Sequence, residues 1–325
     1  MDKNIETLAT ALYVKIDDML LAEPGLDGLL AGFPGGTRRT SAVHRVSPGC
    51  GHTTFVYVPF LDHPRPIAFA HRGGAAHAPE NSWSAFEHAV KLGYAYLETD
   101  ARATSDGKLM AFHDLNLDRV TDAVGPISLK PYRVVAALRV AGTEPIPLIE
   151  DLLGAWPDLR FNIDLKDEGG IPLLPGVLHR TGAWDRVCVT SFSGARLRAA
   201  RKLLDHPVCM TTSPSAIAAV RYSIGTRLPR SAGPGRAEGP PTRRLAQRLS
   251  NAGARCTQVP GRVATRSFVR RAHALGLDVH VWTINDRAAM TRFLDLDVDG
   301  IMTDDIETLR AVLIERGQWY PRTGA

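Results

Sequence analysis

From Ile67 onward the chain alternates short apolar runs with longer stretches of helical periodicity. The runs fall at residues 67–71, 95–102, 109–113, 160–165, 186–191, 207–211, 255–259, 278–282 and 300–303. Each is short and nearly continuous, as a strand buried on both faces is. Between most of them lie segments with apolar positions three to four residues apart, at 82–92, 147–155, 194–204, 242–252, 265–275, 286–295 and 305–316. Gly93 and Gly276 stand just past two of these, where helices end on a glycine. Strands alternating with helices predict a parallel sheet. The span 67–316 is about 250 residues, the usual size of a (β/α)8 TIM barrel.

Nine runs are one too many for eight units. The excess resolves at Ser105-Asp106-Gly107, because Asp-Gly between alternating segments signals a hairpin. With Asp106-Gly107 as a two-residue loop, 103 faces 110 and 100 faces 113. The 109–113 run is then a return strand, part of a small insertion after the second barrel strand. It carries His113 back beside Asp100, and a loop one or two residues longer shifts the register but keeps the neighbourhood. Residues 114–146 read as an excursion over the site.

Ahead of the barrel, Ile5, Leu8, Leu12, Ile16 and Leu20 have helical spacing, and a Gly/Pro-rich stretch follows. The expected organisation is an N-terminal helix and linker over 1–66, the barrel over 67–316 and a tail over 317–325. The opening Thr7-Leu8-Ala9-Thr10-Ala11-Leu12-Tyr13-Val14 resembles the first residues of some transposases, without any catalytic residue. A DNA-binding role would need a basic surface there, and residues 1–22 hold Lys3 and Lys15 against four acids.

Composition narrows the classes. The 325 residues are 44% hydrophobic and carry a net charge of +5, a mild excess that suits an anionic small substrate and not nucleic acid. Cys50, Cys188, Cys209 and Cys256 are scattered and form no CxxC, which argues against a disulfide framework or a zinc site and fits a reducing cytoplasm. No run of about 18 apolar residues exists, so no spanning segment is expected. Residues 221–255 hold eight arginines against Glu238. They read as a long basic loop beyond the 207–211 strand that can meet anionic head groups in peripheral membrane contact.

The chemistry sits where apolar runs end. Ile67-Ala68-Phe69-Ala70 delivers His71-Arg72, Tyr94-Ala95-Tyr96-Leu97 delivers Glu98-Thr99-Asp100, and Phe161-Asn162-Ile163 delivers Asp164-Leu165-Lys166. Parallel barrels build their active sites at that end of the strands. Glu98 and Asp100, two apart on a strand, point to one face. Like charges so close call for a cation between them. With Asp164 they offer three hard oxygens, suited to Ca2+ or Mg2+. The alternative is pairing of Glu98 or Asp100 with Arg72, Arg102 or Lys166. His71 and His113 can supply one general base and one general acid. The other nine histidines, His280 among them, read as structural. Arg72 and Lys166 suit a phosphate ester.

His71-Arg72-Gly73, Pro79-Glu80-Asn81-Ser82, Glu98-Thr99-Asp100, Asp106-Gly107, His113-Asp114, Asp164-Leu165-Lys166, Ser191-Phe192, Val281-Trp282-Thr283-Ile284-Asn285 and Asp299-Gly300-Ile301-Met302-Thr303-Asp304 resemble, in order, the motifs of the glycerophosphodiester phosphodiesterase family. The match runs over about residues 67–313. The resemblance implies a TIM barrel, a divalent metal, and His71 and His113 as the acid–base pair. It implies Glu98, Asp100 and Asp164 as metal ligands, Arg72 and Lys166 at the phosphate, and Trp282 against the glycerol. The family commonly has Glu where this chain has Asp164, so direct ligation there is less secure and a bridging water could make up the reach.

The reaction so implied is metal-dependent hydrolysis of a glycerophosphodiester to an alcohol and glycerol phosphate. The nucleophile is water or a neighbouring glycerol hydroxyl, and sequence does not say which histidine is acid and which is base. Competing expectations are a lysophospholipase D-like or phosphoinositide phospholipase C-like enzyme on the same plan, and a non-catalytic barrel kept as a binding module. The filled polar positions speak against the last.

Overall fold

The computed structural model describes residues 58–222 and 240–322. Its strands are β1 (Ile67–Ala70), β2 (Tyr96–Ala103), β3 (Leu109–Ala111), β4 (Arg139–Val140), β5 (Glu144–Pro145), β6 (Arg160–Leu165), β7 (Val187–Thr190), β8 (Cys209–Thr211), β9 (Ala254–Pro260), β10 (Asp278–Trp282) and β11 (Gly300–Thr303). The helices are α1 (Trp83–Lys91), α2 (Tyr132–Val135), α3 (Ile149–Ala155), α4 (Leu174–Thr181), α5 (Gly194–Leu203), α6 (Pro214–Tyr222), α7 (Pro240–Asn251), α8 (Arg266–Ala274), α9 (Arg287–Leu294) and α10 (Ile306–Glu315). Around the sheet the order is β1, β11, β10, β9, β8, β7, β6, β2, and a β1–β2 pairing closes it. These eight strands are all parallel, so the chain is a (β/α)8 barrel. β3 is antiparallel to β2 at its edge, as the supernumerary run predicts.

Short polar residues set the helix starts. Ser82, Ser193, Thr265, Asp286 and Asp305 each accept a hydrogen bond from a backbone N–H in the first turn of the helix that follows. Such a cap contributes about 1 kcal/mol. Sequence periodicity missed α4 and α6. Pro175 sits in the first turn of α4, where its missing N–H costs nothing, and Pro214 opens α6 behind Ser213, whose hydroxyl accepts the Ala216 N–H. In both, the proline hides the helical pattern.

The outward faces of the strands pack under the helices in one continuous apolar layer that includes Leu97, Phe161, Val189, Val259, Val281 and Ile301. The inside of the barrel holds a second cluster: Phe60, Ile67, Phe69, Tyr96, Cys188, Cys209, Cys256 and Met302. Phe60 lies in the stretch that the sequence pattern assigns to the linker, yet it is fully buried. Its carbonyl accepts the Tyr96 hydroxyl at 2.6 Å and its ring meets Tyr96 edge-on at 5.2 Å. Among the described residues, barrel packing therefore includes the segment ahead of Ile67, from Val58 on. The tail is also engaged, with the Trp319 ring 5.1 Å from that of Tyr94 and the Arg322 N–H on the Gly93 carbonyl.

The expected amphipathic helix of residues 1–22 and its Gly/Pro stretch lie outside the described residues. So does the middle of the basic segment, 223–239, whose two flanks are helices α6 and α7 and not a continuous loop. No helix among the described residues is long and apolar enough to cross a membrane.

The hairpin corrects the two-residue loop. Ala103 faces Leu109, Arg102 faces Met110 and Ala101 faces Ala111. Thr104 donates its N–H to Lys108, and Gly107, at φ 81°, donates to Thr104. The loop is thus Ser105-Asp106-Gly107, a turn closed by a left-handed glycine. Asp100 then pairs through its carbonyl with the Phe112 N–H at 3.0 Å, and not with residue 113. Beyond β3 the excursion has its own small core of Phe112, Leu117, Ile127, Val135, Val140 and Ile146.

Candidate active site

β1 ends in a tight turn that brings backbone, not only side chains, to the barrel mouth. Arg72 adopts φ 50°, a left-handed conformation that costs a non-glycine residue about 1 kcal/mol or more. It turns the Arg72 N–H onto the Glu98 carboxylate at 2.9 Å. Gly73 follows at φ 84°, and a Cβ there would lie 2.8 Å from the Ala85 side chain, so only glycine fits against α1. Asn81, also left-handed, donates its amide to Asp100 at 2.9 Å and accepts the Thr99 hydroxyl at 2.8 Å. The Pro-Glu-Asn-Ser stretch is thus what orients Asp100.

Asp100 and Asp164 are neighbours in register on β2 and β6, and both are buried. The Lys166 ammonium joins them, 2.9 Å from Asp100 and 2.6 Å from Asp164. Arg72 adds a second cation 3.2 Å from Asp100 and reaches Glu80 at 2.9 Å. Burial alone would raise the Asp100 carboxyl, but Lys166 and Arg72 overcome it and hold it well below the usual range. Glu98 goes the other way. Burial, reinforced by the Asp100 charge and only partly countered by His71, pushes it up to about 7.

The two histidines are held alike. His71 shares Nδ1 with Asp304 at 2.6 Å, leaving Nε2 facing Glu98 at 3.8 Å. His113 shares Nδ1 with Asp114 at 2.6 Å. A carboxylate on Nδ1 fixes the tautomer and leaves Nε2 as the ring's other polar atom. Burial would lower His71, but Glu98 and Asp304 raise it overall. For His113 burial prevails over Asp100 and Asp114, and its pKa is lowered. Arg119, from the excursion, clasps Glu80 at 2.6 Å and Asp114 at 2.5 Å, so the excursion is pinned across the mouth. Asp304 is braced in turn by the Asn285 amide at 2.9 Å.

Trp282 ends β10 and meets Phe192 edge-on at 5.5 Å, and Phe192 lies 5.4 Å from the Lys166 ammonium. An aromatic wall therefore stands beside the cationic group. Phe192 is part-exposed.

The structure brings His71, Arg72, Glu98, Asp100, His113, Asp164 and Lys166 into one polar cluster, with Trp282 on its aromatic side. It also adds Asp304, Asp114, Asn81, Glu80, Arg119 and Phe192. Most of these stand inside the motifs, but a motif gives no role; Arg119 lies in none, and only the fold shows its reach. The carboxylate–Lys166 and carboxylate–Arg72 pairings that sequence left as an alternative are present. The side-chain groups of three that bring metal-ligating atoms within 4.8 Å of one another among the described residues do not include Glu98, Asp100 and Asp164. The set still offers only hard oxygens, and Asp164 Oδ1 is buried without a hydrogen-bond partner. These hard oxygens suit a divalent cation.

Buried carboxylates, two cations and two carboxylate-held imidazoles at the carboxyl end of a (β/α)8 barrel define a hydrolytic barrel enzyme suited to an anionic ester. The model of the glycerophosphoryl diester phosphodiesterase family matches residues 71–308, and the chain belongs to that family. It is a phosphoric diester hydrolase. The chain is 38% identical over 270 residues to the probable glycerophosphodiester phosphodiesterase 2 of Mycobacterium tuberculosis, covering 81% of this chain and 96% of the relative. Among solved structures it is similar to a glycerophosphodiester phosphodiesterase from Agrobacterium tumefaciens, with TM-score 0.62 and 19% identity over 75% of this chain and 99% of that one. It is also similar to an Oleispira antarctica phosphodiesterase in complex with the product sn-glycerol-3-phosphate, with TM-score 0.61 and 20% identity over 77% and 97%.

Proposed function

We propose that the chain hydrolyses glycerophosphodiesters such as glycerophosphocholine, with His71 and His113 as the acid–base pair and with Glu98, Asp100 and Asp164 holding a divalent cation, Ca2+ or Mg2+. The observation that carries the reading is the pairing of each imidazole with its own carboxylate, Asp304 for His71 and Asp114 for His113, both at 2.6 Å. Glu98, Asp100 and Asp164 would hold the cation, whose chemistry there would be Lewis-acid polarisation of a phosphoryl oxygen.

Arg72 and Lys166 bind the phosphodiester from the β1 and β6 sides and stabilise the charge that builds on its oxygens. One imidazole accepts the proton of the attacking hydroxyl or water at Nε2, and the other donates a proton from Nε2 to the departing alcohol. Asp304 and Asp114 keep both Nε2 atoms turned to the substrate and stabilise each imidazolium as it forms. Phe192 and Trp282 pack against the glycerol carbons and exclude water from that side. The test is hydrolysis of a panel of glycerophosphodiesters, followed by exhaustive chelation and return of Ca2+ or Mg2+. Turnover is expected to stop on chelation and to return with the ion. Activity that survives chelation would take the metal out of the reaction.

A further inference from the structure

Three of the four cysteines, scattered in sequence, meet inside the barrel. Cys188, Cys209 and Cys256 lie on the consecutive strands β7, β8 and β9, and all are buried free thiols. Cys188 and Cys209 are register partners, and a register irregularity at Met210/Thr211 sets Cys256 opposite Thr211. Their sulfurs all lie within 4.8 Å of one another, and the Cys188–Cys256 separation is 3.9 Å. A tetrahedral ion with metal–sulfur distances of about 2.3 Å spaces its sulfurs by about 3.8 Å. The observed separation is that of a tetrahedron's edge.

Close-packed thiols in an apolar core can show such a distance without any ion, so the fourth residue decides. His280, on the adjacent strand β10, has no exposed surface, and neither ring nitrogen has a hydrogen-bond partner. A buried imidazole with both nitrogens unsatisfied calls for an explanation. The His280 ring is a side-chain neighbour of Cys256.

We propose that Cys188, Cys209, Cys256 and His280 form a structural site for a thiophilic divalent cation, Zn2+, in the interior of the barrel. Three soft thiolates stand within reach of one ion, and His280, whose ring nitrogens lie outside that 4.8 Å group, would turn in as the fourth donor, in contrast to the hard oxygens of the catalytic mouth. The two sites are separate. Gln258, two residues beyond Cys256 on the same face of β9, exchanges two hydrogen bonds with Asn162 across the interior, at 2.7 and 3.3 Å. The ion would displace the thiol protons as it binds and tie four consecutive strands together, so loading belongs to folding. The inference does not depend on the hydrolytic reading.

The experiment is a Co2+ titration of the reduced full-length chain, freed of metal and carrying Cys50→Ala so that the three barrel thiols are the ones left. A thiolate-to-cobalt charge-transfer band and the visible bands of tetrahedral Co2+ are expected to saturate at one ion per chain and to be bleached by Zn2+. Glu98→Gln should leave these bands in place, Cys256→Ala should remove the charge-transfer band, and His280→Ala should weaken binding and shift the visible bands. If Cys256→Ala does not fold, the titration of the Cys50→Ala chain decides alone. Absence of a charge-transfer band there, or a band that Cys256→Ala leaves at full intensity, overturns the proposal.

Discussion

Replacing Asp304 by Asn tests the site without removing any group that would touch substrate. In the structure Asp304 Oδ1 is shared with His71 Nδ1 at 2.6 Å, and Oδ2 accepts the Asn285 amide at 2.9 Å. Asn285 is itself fixed, because its oxygen accepts both the Thr303 hydroxyl and the Asp304 N–H. An Asn at 304 must therefore turn its oxygen to Asn285 and its NH2 to His71. His71 Nδ1 then has to accept, and the proton moves to Nε2. The neutral ring can no longer serve as base, and the protonated ring faces an NH2 dipole instead of a carboxylate. A hydrogen bond to a charged group is worth about 1.5–3 kcal/mol, or roughly 10- to 150-fold in rate. The wrong tautomer adds to this. We expect kcat for glycerophosphocholine to fall about 10²-fold or more with little change in KM. The ionisation of His71 in the pH profile should move down, since its raised pKa, held up against burial by Glu98 and Asp304, loses one of its two supports. Steady-state kinetics across pH, with circular dichroism to confirm the fold, measure all three. An Asp304→Asn enzyme with near wild-type kcat would refute the claim that His71 works through Asp304.

His113→Gln should lower kcat about 10²-fold or more. The fold should hold, because Asp114 keeps Arg119 as a partner, so thermal unfolding should be close to wild type. Phe60→Ala should destabilise the barrel by about 3–5 kcal/mol, the range for a buried aromatic, and denaturant titration would show it. A loss under 1 kcal/mol would mean that Phe60 is not an integral part of the barrel interior. The His273–Asp299 pair, at 2.6 Å, gives a pH test away from the site. Burial opposes the charge on both, but the pair raises His273 and lowers Asp299. The histidine's contribution is full below about pH 6.5 and fades as pH rises through its folded value. The aspartate's is full above about pH 4 and fades as pH falls. His273→Gln should therefore cost about 1 kcal/mol near pH 5.5, with solvent screening of this part-exposed pair allowed for, and less at pH 9. Equal losses at both values would discard the ion pair as the cause.

The barrel was legible because strand runs and helical periods alternate so regularly, and the extra run announced its own hairpin through Asp106-Gly107. The site residues were legible because parallel barrels put them at strand ends, where polar residues interrupt apolar runs. Other features escaped for identifiable reasons. The loop length turned on whether Ser105 joins the turn or the strand, which composition does not say. Phe60 looked like linker because an isolated aromatic has no period. Asp304 and Asp114 could be named in motifs, but their partners lie 233 residues away in one case and one residue away in the other. Spacing along the chain makes the cysteines look scattered because it does not see that β7, β8 and β9 stand side by side. His280, set aside as a structural histidine, became informative only when its ring nitrogens were found without partners.

The turn at Ser105-Asp106-Gly107 has a bearing on how this chain can vary. Exposed tips are usually where insertions and deletions accumulate, since nothing packed depends on their length. Here the return strand hangs from the tip, and His113 is reached six residues past Gly107. Each residue gained or lost in the turn slides β3 along β2 and reverses which side chains face the barrel mouth. Substitution at Ser105 is cheap, whereas a change of length is not. An exposed surface turn thus carries the spacing constraint usually associated with a buried core.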